Sequence, residues 1–435
     1  MNQFEPILLA RAALSRLIEP SDTVGQALVA AAGPETAALV AAGRERAQTS
    51  LRREVGALLE ERGVQGTSRI FDEALERWQP RAAGLAPQRD LQTVHRFGGR
   101  MLVPEGTDWP SSLADLGQGM PFCLWIRGNG NIPELGQCLA LVGSRDATSY
   151  GLAITGDLAA GLVQRGRTVI SGGAYGIDAQ AHRSALAVGS IQQGSEIRAA
   201  RGGNRPSGAG STEPPTISVL AGGVDRFYPA GNEDLLRAVA ETGLILSEVP
   251  PGSAPTRWRF LQRNRLIAAL AAATVVVEAR WRSGALNTAH HAAELGRGVG
   301  AVPGSVYSAN SAGCHRLLRE GSAVCVSDAA EVLELSDPFV LAPDDADGSH
   351  RTGVLADHDG LTVEDILLLD ALPLRKAVPA QKLSAVAGLS PAAVRAGLAR
   401  LELSGLARRT GEGLWQRGDR PRPNPGTTKP PLEGD

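Results

Sequence analysis

Aromatic residues are scarce in this chain: Phe, Trp and Tyr make up only 4% of its 435 residues, whereas 43% of the residues are hydrophobic. The cores must therefore be built mainly from aliphatic side chains. A chain of this length has room for two or three domains, at least one of them with a substantial core. Each aromatic side chain that a core does not need becomes a candidate for a functional role.

Cysteine is also rare, which bears on metal binding and on the cellular compartment. The four cysteines form no Cys-x-x-Cys pair and show no metal-ligand spacing with histidine, although Cys314 and His315 are adjacent. Such cysteines are typical of buried or free thiols in a reducing compartment. We expect no metal site and no cofactor, and because no nucleophile stands paired with a base, we expect no catalysis.

The chain lacks a strong net charge, a secretion signal and a long apolar run. Its formal net charge is -2, so a nucleic-acid partner would have to be held by a local basic patch. The N-terminus has no basic segment leading into an apolar core and a cleavage site. The longest apolar run, residues 266–277, is too short to span a bilayer. These absences predict a cytoplasmic protein without a membrane partner.

The pattern of apolar residues predicts two folded regions in the first three quarters of the chain. Residues 1–98 repeat apolar positions three and four apart, which favours a helical N-terminal domain. Residues 99–335 alternate short aliphatic runs with amphipathic segments, which predicts an α/β domain with an extended Rossmann-like, doubly wound, mostly parallel sheet. The predicted strands are 139–142, 168–170, 217–220, 244–246, 274–277, 298–302 and 323–326.

Polar segments interrupt and follow this predicted α/β domain. Residues 190–215 are polar and Gly-rich, and we expect a disordered surface insertion there. Residues 336–359 hold six Asp against one Arg and are predicted to be an acidic linker. Three helical patterns and a hairpin then predict a winged-helix domain over 360–418, with Ser390 as a helix N-cap. Residues 419–435 are predicted to be a disordered tail.

The loops after the predicted strands are where an open parallel sheet binds ligands. Gly143, Ser144 and Arg145 follow the first predicted strand and lead into a helix, which favours an anion site suited to phosphate. A structural turn with a solvated arginine is the alternative. In the next loop, three glycines between residues 172 and 176 permit close backbone approach, but their spacing is not the dinucleotide fingerprint. There and in the following loop we expect Asp178 and Asn232 to cap helices.

The most unusual loop runs from Arg257 to Arg265 and holds four arginines, two aromatic residues and no acidic residue. Arginines neutralise phosphates, and an aromatic ring can stack on an unpaired base, a combination that favours single-stranded nucleic acid over a duplex. The alternative is a solvated basic helix start with Trp258 and Phe260 in the core. We expect Phe260, Arg263 and Arg265 to face Arg145 and to form the floor of a pocket.

The loop after the strand at 274–277 adds Arg280, Trp281 and Arg282, followed by Ser283 and Gly284 before a helix. A helix start of this kind is a further candidate for anion binding. The histidines on that helix, His290 and His291, are more typical of surface or packing residues than of zinc ligands.

These loops, in this order, resemble the DNA-processing protein A family, also called DprA or Smf. The resemblance covers roughly residues 105–335. The matching motifs are Gly-Ser-Arg at 143–145, Ser-Gly-Gly-Ala-Tyr-Gly-Ile-Asp-Ala-Gln-Ala-His at 171–182, Gly-Gly-Val-Asp-x-x-Tyr-Pro-x-x-Asn at 222–232, Phe-x-x-Arg-Asn-Arg-Leu-Ile at 260–267, Val-Val-Val-Glu-Ala at 275–279, Ser-Gly-Ala-Leu-x-Thr-Ala at 283–289 and Gly-Arg-x-Val-x-Ala-Val-Pro-Gly at 296–304.

The resemblance implies a homodimer that binds single-stranded DNA and helps to load the RecA recombinase, as in natural transformation of competent cells. It implies a DNA-binding set with no catalytic residue. That set is Ser144, Arg145, Tyr175, Phe260, Arg263, Asn264, Arg265 and Ser283. Tyr175 stands where many members have Lys or Arg, and Ala285 replaces a hydroxyl residue; both departures alter expected contacts to the nucleic acid.

Two other functions fit parts of the sequence. A nucleotide-binding or phosphoribohydrolase-type enzyme would use the same fold, but its Pro-Gly-Gly-x-Gly-Thr loop is replaced here by Pro303-Gly304-Ser305. A transcription regulator would use the predicted winged helix, where Arg395, Arg400, Arg408 and Arg409 could contact DNA. A packing or dimerisation role for that domain is equally compatible with the sequence.

Overall fold

The structure, a computed structural model, describes residues 4–201, 213–336, 362–373, 377–410 and 413–418, and for residues 192–201 it describes the backbone alone. The predicted acidic linker beyond residue 336 and the predicted tail at 419–435 lie outside the described residues.

The N-terminal region is helical, as predicted. Its helices are α1 (Pro6–Leu17), α2 (Thr23–Ala41), α3 (Thr49–Glu60), α4 (Thr67–Ala82) and α5 (Pro87–Arg96). They enclose a core that includes Leu14, Leu28, Phe71 and Trp78. Asp22 holds the start of α2, because its carboxylate accepts hydrogen bonds from the amides of the first turn and also from the Trp78 indole at 3.2 Å.

Within the part of the chain that the structure describes, α2 is the one helix whose length and apolar composition would suffice to cross a membrane. Its backbone breaks at Gly33, which has a φ of 73°, immediately before Pro34. Ala27, Leu28 and Ala37 are buried in the N-terminal core. A kinked helix packed into a core accounts for this composition.

The described residues of the central region form a nine-stranded sheet with the order β1-β2-β6-β5-β4-β3-β7-β8-β9. The strands are β1 (Gly99–Leu102), β2 (Leu124–Gly128), β3 (Cys138–Val142), β4 (Thr168–Ser171), β5 (Thr216–Leu220), β6 (Leu244–Ser247), β7 (Ala273–Val276), β8 (Gly298–Ala301) and β9 (Val324–Cys325). Strands β3 to β9 are parallel, and β1 and β2 extend the sheet in antiparallel pairing beyond β6. The mostly parallel sheet is therefore confirmed.

Helices cover both faces of this sheet. They are α6 (Ser149–Gln164), α7 (Ile177–Arg201), α8 (Glu233–Thr242), α9 (Arg257–Ala269), α10 (Gly284–Glu294), α11 (Ala312–Arg319) and α12 (Ala329–Glu334). Leu266 of α9 and Leu286 of α10 pack into one aliphatic cluster, whereas Leu158 of α6 and Ala181 of α7 belong to another. Two separate apolar clusters are what a parallel sheet buried on both faces requires.

The sequence prediction missed β1 and β2, which join the sheet to the N-terminal helices. Trp125 of β2 is fully buried and packs with Ala12 of α1 and Leu91 of α5. Its indole N–H donates to the Ser15 hydroxyl at 3.3 Å. The large ring thus docks the helical region against the sheet and satisfies its polar atom at the same time.

The predicted disordered insertion at 190–215 is wrong in its first part, since the backbone of α7 remains helical to Arg201. The segment SIQQGSEIRAAR is rich in residues with good helix propensity, which outweighs its polarity. Residues 202–212 of the predicted insertion lie outside the described residues, and residues 214–215 lead directly into β5.

The C-terminal region contains α13 (Val363–Ala371), β10 (Val378–Pro379), α14 (Ala380–Ala387), α15 (Pro391–Leu403), β11 (Ala407–Thr410) and β12 (Leu414–Arg417). The strands form an antiparallel sheet with the order β10-β12-β11. Ser390 caps α15 by accepting from the Ala393 amide at 3.2 Å, which confirms the predicted cap. The carboxylate of Asp365 binds the Arg400 guanidinium through both oxygens and ties α13 to α15.

This C-terminal region packs against the rest of the chain at the start of α9. Asp370 of α13 accepts a hydrogen bond from the Trp258 amide at 3.2 Å. Arg81 of α4 donates to the carbonyls of Ala385 and Val386 at the end of α14. A carboxylate at the N-terminus of α9 also interacts favourably with the helix dipole.

Candidate nucleic-acid interface

The predicted anion-binding loop lies at the switch point of the sheet, where β3 pairs with β4 on one side and with β7 on the other. Doubly wound sheets bind ligands outside the carboxyl ends of the strands at such a point. The Ser144 amide donates to the Glu278 carbonyl at 2.7 Å, and the Ile177 amide donates to the Ser144 carbonyl at 3.1 Å. Ser144 is therefore buried and fixes the loop, whereas Arg145 stands exposed.

Close contact between the first two loops depends on Gly176. Its φ is 73°, and a Cβ at this position would lie 2.2 Å from the Ser144 carbonyl oxygen. Only glycine accommodates both the left-handed backbone and the lack of space. The glycine-rich pattern in the sequence thus serves to bring the Ser144–Arg145 loop and the start of α7 together.

Three of the predicted site residues meet at this edge. The guanidinium carbon of Arg145 lies 5.1 Å from the centroid of the Phe260 ring, and that of Arg263 lies 5.7 Å from it. The Phe260 ring is partly exposed. We call Arg145, Phe260 and Arg263 the arginine–phenylalanine cluster. Two cations within 6 Å of one aromatic ring hold the ring in place and create a local positive potential around it.

Arg263 is buried, yet its hydrogen bonds go to carbonyl groups rather than to a carboxylate. Its Nη1 donates to the Gly172 carbonyl at 2.7 Å and also to the Val219 carbonyl. Burial lowers its pKa to about 10, an effect that the charge of Asp178 opposes. A guanidinium with that pKa remains protonated at neutral pH, so the cluster keeps a positive charge.

Arg265 does not belong to this cluster, and the expectation that it faces Arg145 is wrong. Its Nη2 binds the Glu248 carboxylate at 2.7 Å, and both side chains are buried. Residues two positions apart on a helix point about 200° away from each other, since each residue turns the helix by about 100°. Arg263 and Arg265 are therefore on different faces of α9, and Arg265 is neutralised by Glu248.

Asn264 and Ser283 meet at another place, the start of α10. Asn264 donates through Nδ2 to the Gly284 carbonyl at 3.3 Å and to the Asn287 amide oxygen at 3.2 Å. Ser283 caps α10 by accepting from the Ala285 amide at 3.3 Å. These bonds join α9 to α10 and leave Gly284 exposed beside them.

Tyr175 lies at the rim of the site, and its side chain is 46% exposed. Its hydroxyl accepts a hydrogen bond from the Gly231 amide at 3.3 Å. The ring therefore links the second loop to the third and presents part of its surface to solvent.

Two predicted helix caps are wrong. Asn232 occupies the position before α8, but its Nδ2 donates to the carbonyls of Gly173 and Ala174 at 3.0 and 3.1 Å. Asp178 lies inside the first turn of α7 and accepts from the Ala174 amide at 3.4 Å. Both side chains hold the glycine-rich second loop, Asp178 from four residues further along the chain and Asn232 from the distant start of α8.

Tyr228 is a neighbour of the cluster that the prediction did not include. Its ring centroid lies 5.8 Å from that of Phe260, and its side chain is 51% exposed. It borders a small cleft together with Gly172, Leu220, Ala221, Gly222, Arg226, Pro255 and Phe260. The Tyr-Pro pair of the third loop was the available signal, since an aromatic residue in a polar loop is rare in this chain.

The comparisons with known proteins identify the family of the chain. The profile described as DNA recombination-mediator protein A matches residues 100–337, which is more than half of the chain. The chain belongs to this family. The matched region is the sheet with its two layers of helices, and it contains all the loops described above.

Relatives of this recombination-mediator family member extend the match to both ends. The putative DNA processing protein DprA of Mycobacterium tuberculosis is 39% identical over 424 residues, covering 95% of each chain. The DNA processing protein DprA of Bacillus subtilis is 31% identical over 226 residues, covering 52% of this chain and 66% of that protein. The crystal structure of DprA from Streptococcus pneumoniae superimposes with a TM-score of 0.54 at 26% identity, over 76% of this chain and 98% of that one.

Other ionisable groups of this family member are engaged in structural contacts. The Glu278 carboxylate accepts from the Thr148 amide at 2.9 Å and from its hydroxyl at 2.6 Å. Burial lowers the pKa of His182 to about 3, and its ring bonds the Thr216 hydroxyl at 2.7 Å. Within the described ranges, no group of three or more His, Cys, Asp and Glu side chains converges as a metal site. All four cysteines are free, three of them buried, as the sequence predicts.

Proposed function

We propose that the chain is a non-catalytic protein that binds single-stranded DNA at the carboxyl edge of its sheet. The arginine–phenylalanine cluster is the observation that carries this proposal. A partly exposed aromatic ring with two arginines close to it offers a stacking surface for a base and charge for the adjoining phosphates.

The cluster favours single strands over a duplex for a geometric reason. Phe260 and Tyr228 are both at least partly exposed, and a base can stack on such a ring only when it is not stacked within a double helix. Aromatic stacking contributes roughly 1–3 kcal/mol per base and is tolerant of sequence. Affinity without sequence specificity is what a protein that handles arbitrary DNA requires.

The predicted site residues then take distinct roles. Arg145 contacts phosphate directly, and Ser144 holds the loop that carries Arg145. Arg263 is buried beside the Phe260 ring and adds positive charge to the site. Tyr175 offers a second aromatic surface at the rim, in place of the cation that many relatives have. Asn264 and Ser283 shape the exposed start of α10, where backbone amides can receive a further phosphate.

Arg265 contributes indirectly. Its ion pair with Glu248 keeps α9 seated on the sheet and so holds Phe260 and Arg263 in position. The same charge is not offered to DNA, because the Glu248 carboxylate already compensates it.

The proposal extends to a role in recombination, for which family membership is the support. In this role the protein is a cytoplasmic homodimer that protects incoming or processed single strands and helps to load RecA, as in natural transformation. The domain boundaries at 98, 335 and 359 belong to the same proposal, and so does the assignment of residues 360–418 to a winged helix. The order of three helices and a three-stranded sheet among the described C-terminal residues supports that assignment.

The decisive experiment titrates a fluorescent oligothymidine with the wild type and with Arg145→Ala/Phe260→Ala at several salt concentrations. We expect the double variant to bind at least a hundredfold more weakly, and the wild type to prefer the single strand over a duplex of equal length. Arg69→Ala is the matched control, because Arg69 is exposed on α4 and pairs with the exposed Glu73. Equal affinity of wild type and double variant would overturn the proposal.

The RecA role needs its own assay. RecA-driven strand exchange on DNA coated with single-strand-binding protein is expected to accelerate with the wild type and not with the double variant. Sedimentation equilibrium measures the proposed dimer.

Deletion of residues 360–435 tests the winged helix. Retained affinity for single strands would assign that activity to the α/β region. A loss of duplex affinity alone would assign duplex binding to the C-terminal region.

A further inference from the structure

The start of α6 is the place where a doubly wound fold ordinarily holds a phosphate. α6 follows β3, and the loop between them lies at the switch point of the sheet. In such folds the first loop between a strand and a helix binds the phosphates of a nucleotide, because the free amides at the helix start attract an anion. Residues 143–145 predict an anion site of this kind here.

In this chain the carboxylate of Glu278, which follows β7, fills that position. Its Oε2 accepts a hydrogen bond from the Thr148 amide at 2.9 Å, and its Oε1 accepts one from the Thr148 hydroxyl at 2.6 Å. The same hydroxyl accepts from the Gly151 amide at 3.1 Å. The carboxylate, the hydroxyl and an amide of the first turn thus form one chain of hydrogen bonds at the start of α6.

Gly151 provides the space for this close approach. A Cβ at that position would lie 2.4 Å from Oε2 of Glu278. In dinucleotide-binding folds a glycine has the same effect for the pyrophosphate, which it allows to come near the backbone. The carboxylate of Glu278 therefore approaches the helix as a bound phosphate would.

The charge of Glu278 is compensated by α6. The residue is only 2% exposed, and within the described ranges no arginine, lysine or histidine forms an ion pair with it. A buried carboxylate is strongly unfavourable unless hydrogen bonds and a favourable potential stabilise it. The two bonds from Thr148 and the positive end of the α6 dipole provide both. The start of α6 is thus an effective anion site, and Glu278 is the anion that uses it.

An open cleft of about 550 Å³ adjoins this position, between the start of α6 and the loop after β8. This volume is within the range of small-molecule sites, and Glu278 forms part of the wall. None of the described residues that line the cleft is an arginine, a lysine or a histidine. Affinity of the cleft for a phosphate group therefore depends on the start of α6. The hydroxyl groups of the lining belong to Thr148, Tyr150, Ser305, Ser308 and Ser311.

We propose that Glu278 is a built-in substitute for a nucleotide phosphate. It fills the anion site at the start of α6 and so excludes nucleotides and other small phosphate-bearing molecules from the adjoining cleft. Glu278 is in this sense a specificity-determining residue, and it leaves the binding of phosphate near this loop to the Arg145 side chain beside the Phe260 ring. The inference goes beyond the proposed function, since it concerns free phosphates and not a DNA strand.

The test follows thermal unfolding in inorganic phosphate and in sodium chloride of equal ionic strength. Glu278→Ala opens the anion site, so phosphate is expected to raise its Tm by about 2–4 °C more than it raises that of the wild type. The wild type measures the general stabilisation that phosphate gives to folded proteins. Glu278→Gln keeps the position filled and should respond as the wild type does. In calorimetric titrations adenosine monophosphate should bind to Glu278→Ala and not to the wild type.

Gly151→Ala in the Glu278→Ala background is the control for location. Its Cβ would stand where the anion approaches the helix, so the extra response to phosphate should disappear. A response that survives this change would place the phosphate elsewhere and overturn the inference. Equal responses of wild type and Glu278→Ala would also overturn it, and so would a Glu278→Ala protein that stays unfolded in phosphate as in chloride. Failure of the wild type to bind oligothymidine is a separate result, which removes the proposed function and leaves this inference intact.

Discussion

The arginines of α9 are used in two opposite ways. Arg263 binds carbonyl groups and adds its charge to the Phe260 ring. Arg259, one turn earlier on the same side of the helix, and Arg265, on a different side, each bind a carboxylate, from Glu19 and Glu248 respectively. An arginine-rich segment is therefore not a uniform basic patch, because buried carboxylates from distant parts of the chain decide which charges remain available.

One of the neutralised arginines, Arg259, is also where the N-terminal region meets α9. Glu19 binds Arg259 at 2.8 Å and also binds Arg81 of α4. Burial opposes ionisation of Glu19, but the charges of Arg259 and Arg81 outweigh it and lower its pKa to about 2. The carboxylate-paired arginines thus hold regions of the chain together, whereas Arg263 lies at the candidate ligand site.

The largest expected effect comes from removing the charge of Glu19, the carboxylate that neutralises Arg259. Glu19→Gln leaves Arg81 and Arg259 buried without a counter-charge, and we expect a loss of about 3–5 kcal/mol in the free energy of unfolding. Urea titration followed by circular dichroism measures it. Glu73→Gln is the control, because Glu73 pairs with Arg69 at the surface and its loss should change stability by less than about 1 kcal/mol.

The ion pairs of Glu19 with Arg81 and Arg259 also predict that stability depends on pH. Because the folded pKa of Glu19 lies near 2 and its ordinary value is 4.5, its contribution to stability is fully present above pH 4.5 and is lost as the pH falls towards 2. The wild type should therefore lose stability relative to Glu19→Gln between these two values. If the free energies of unfolding of the wild type and the variant fall equally over this pH range, this account is contradicted.

The next largest effect separates Arg265 from Arg263. Arg265→Met leaves Glu248 buried without its partner and should cost about 3 kcal/mol of stability. The double change Arg265→Met/Glu248→Leu removes both charges and should recover most of that loss. Its affinity for oligothymidine is expected to stay within about threefold of the wild type, since Arg265 makes no direct contact. A large loss of affinity in the stable double variant would show that Arg265 contributes directly to DNA binding.

A smaller effect is expected at Phe260, the aromatic ring of the arginine–phenylalanine cluster. Phe260→Ala should weaken oligothymidine binding by roughly 1–3 kcal/mol, the range for loss of one stacked base. Phe260→Tyr keeps the ring and should bind nearly as the wild type does. Anisotropy titrations measure both variants, and equal losses in the two would show that packing rather than stacking explains the effect.

The smallest effect is in the salt dependence. Each phosphate neutralised on a single strand contributes about 0.7 to the slope of log affinity against log salt. Arg145→Ala should reduce the slope by about that amount, whereas Arg259→Met should leave it unchanged, because Glu19 compensates Arg259. A reduced slope in Arg259→Met would show that an arginine paired with a carboxylate still binds DNA phosphate.

Much of the fold follows from the sequence because parallel strands buried on both faces leave near-continuous aliphatic runs. Each of the seven strands predicted from such a run is present among the described residues. β1 and β2 were missed, since a short edge strand such as Gly99–Leu102 has neither the length nor the alternation that periodicity detects. The end of α7 was missed because a polar composition does not exclude a helix.

The candidate site was only partly predictable for a related reason. Loop position and residue type pointed to Arg145, Phe260 and Arg263, which the structure brings together. No local pattern in the sequence reveals that Glu248 pairs with Arg265, because the two residues are 17 positions apart and meet only in the folded chain. Periodicity does separate positions 263 and 265, however, and a helical projection of α9 would have placed them on different faces.

Three parts of the chain meet at the first turns of α9: Glu19 follows α1, Arg81 belongs to α4, and Asp370 of α13 accepts the Trp258 amide. Breaking any one of these contacts exposes a buried charge or the N-terminus of α9 to solvent. The N-terminal helices, α9 and α13 should therefore unfold as one cooperative unit in native-state hydrogen exchange. The amide of Trp258 reports on that unit, since its exchange requires α13 to move away.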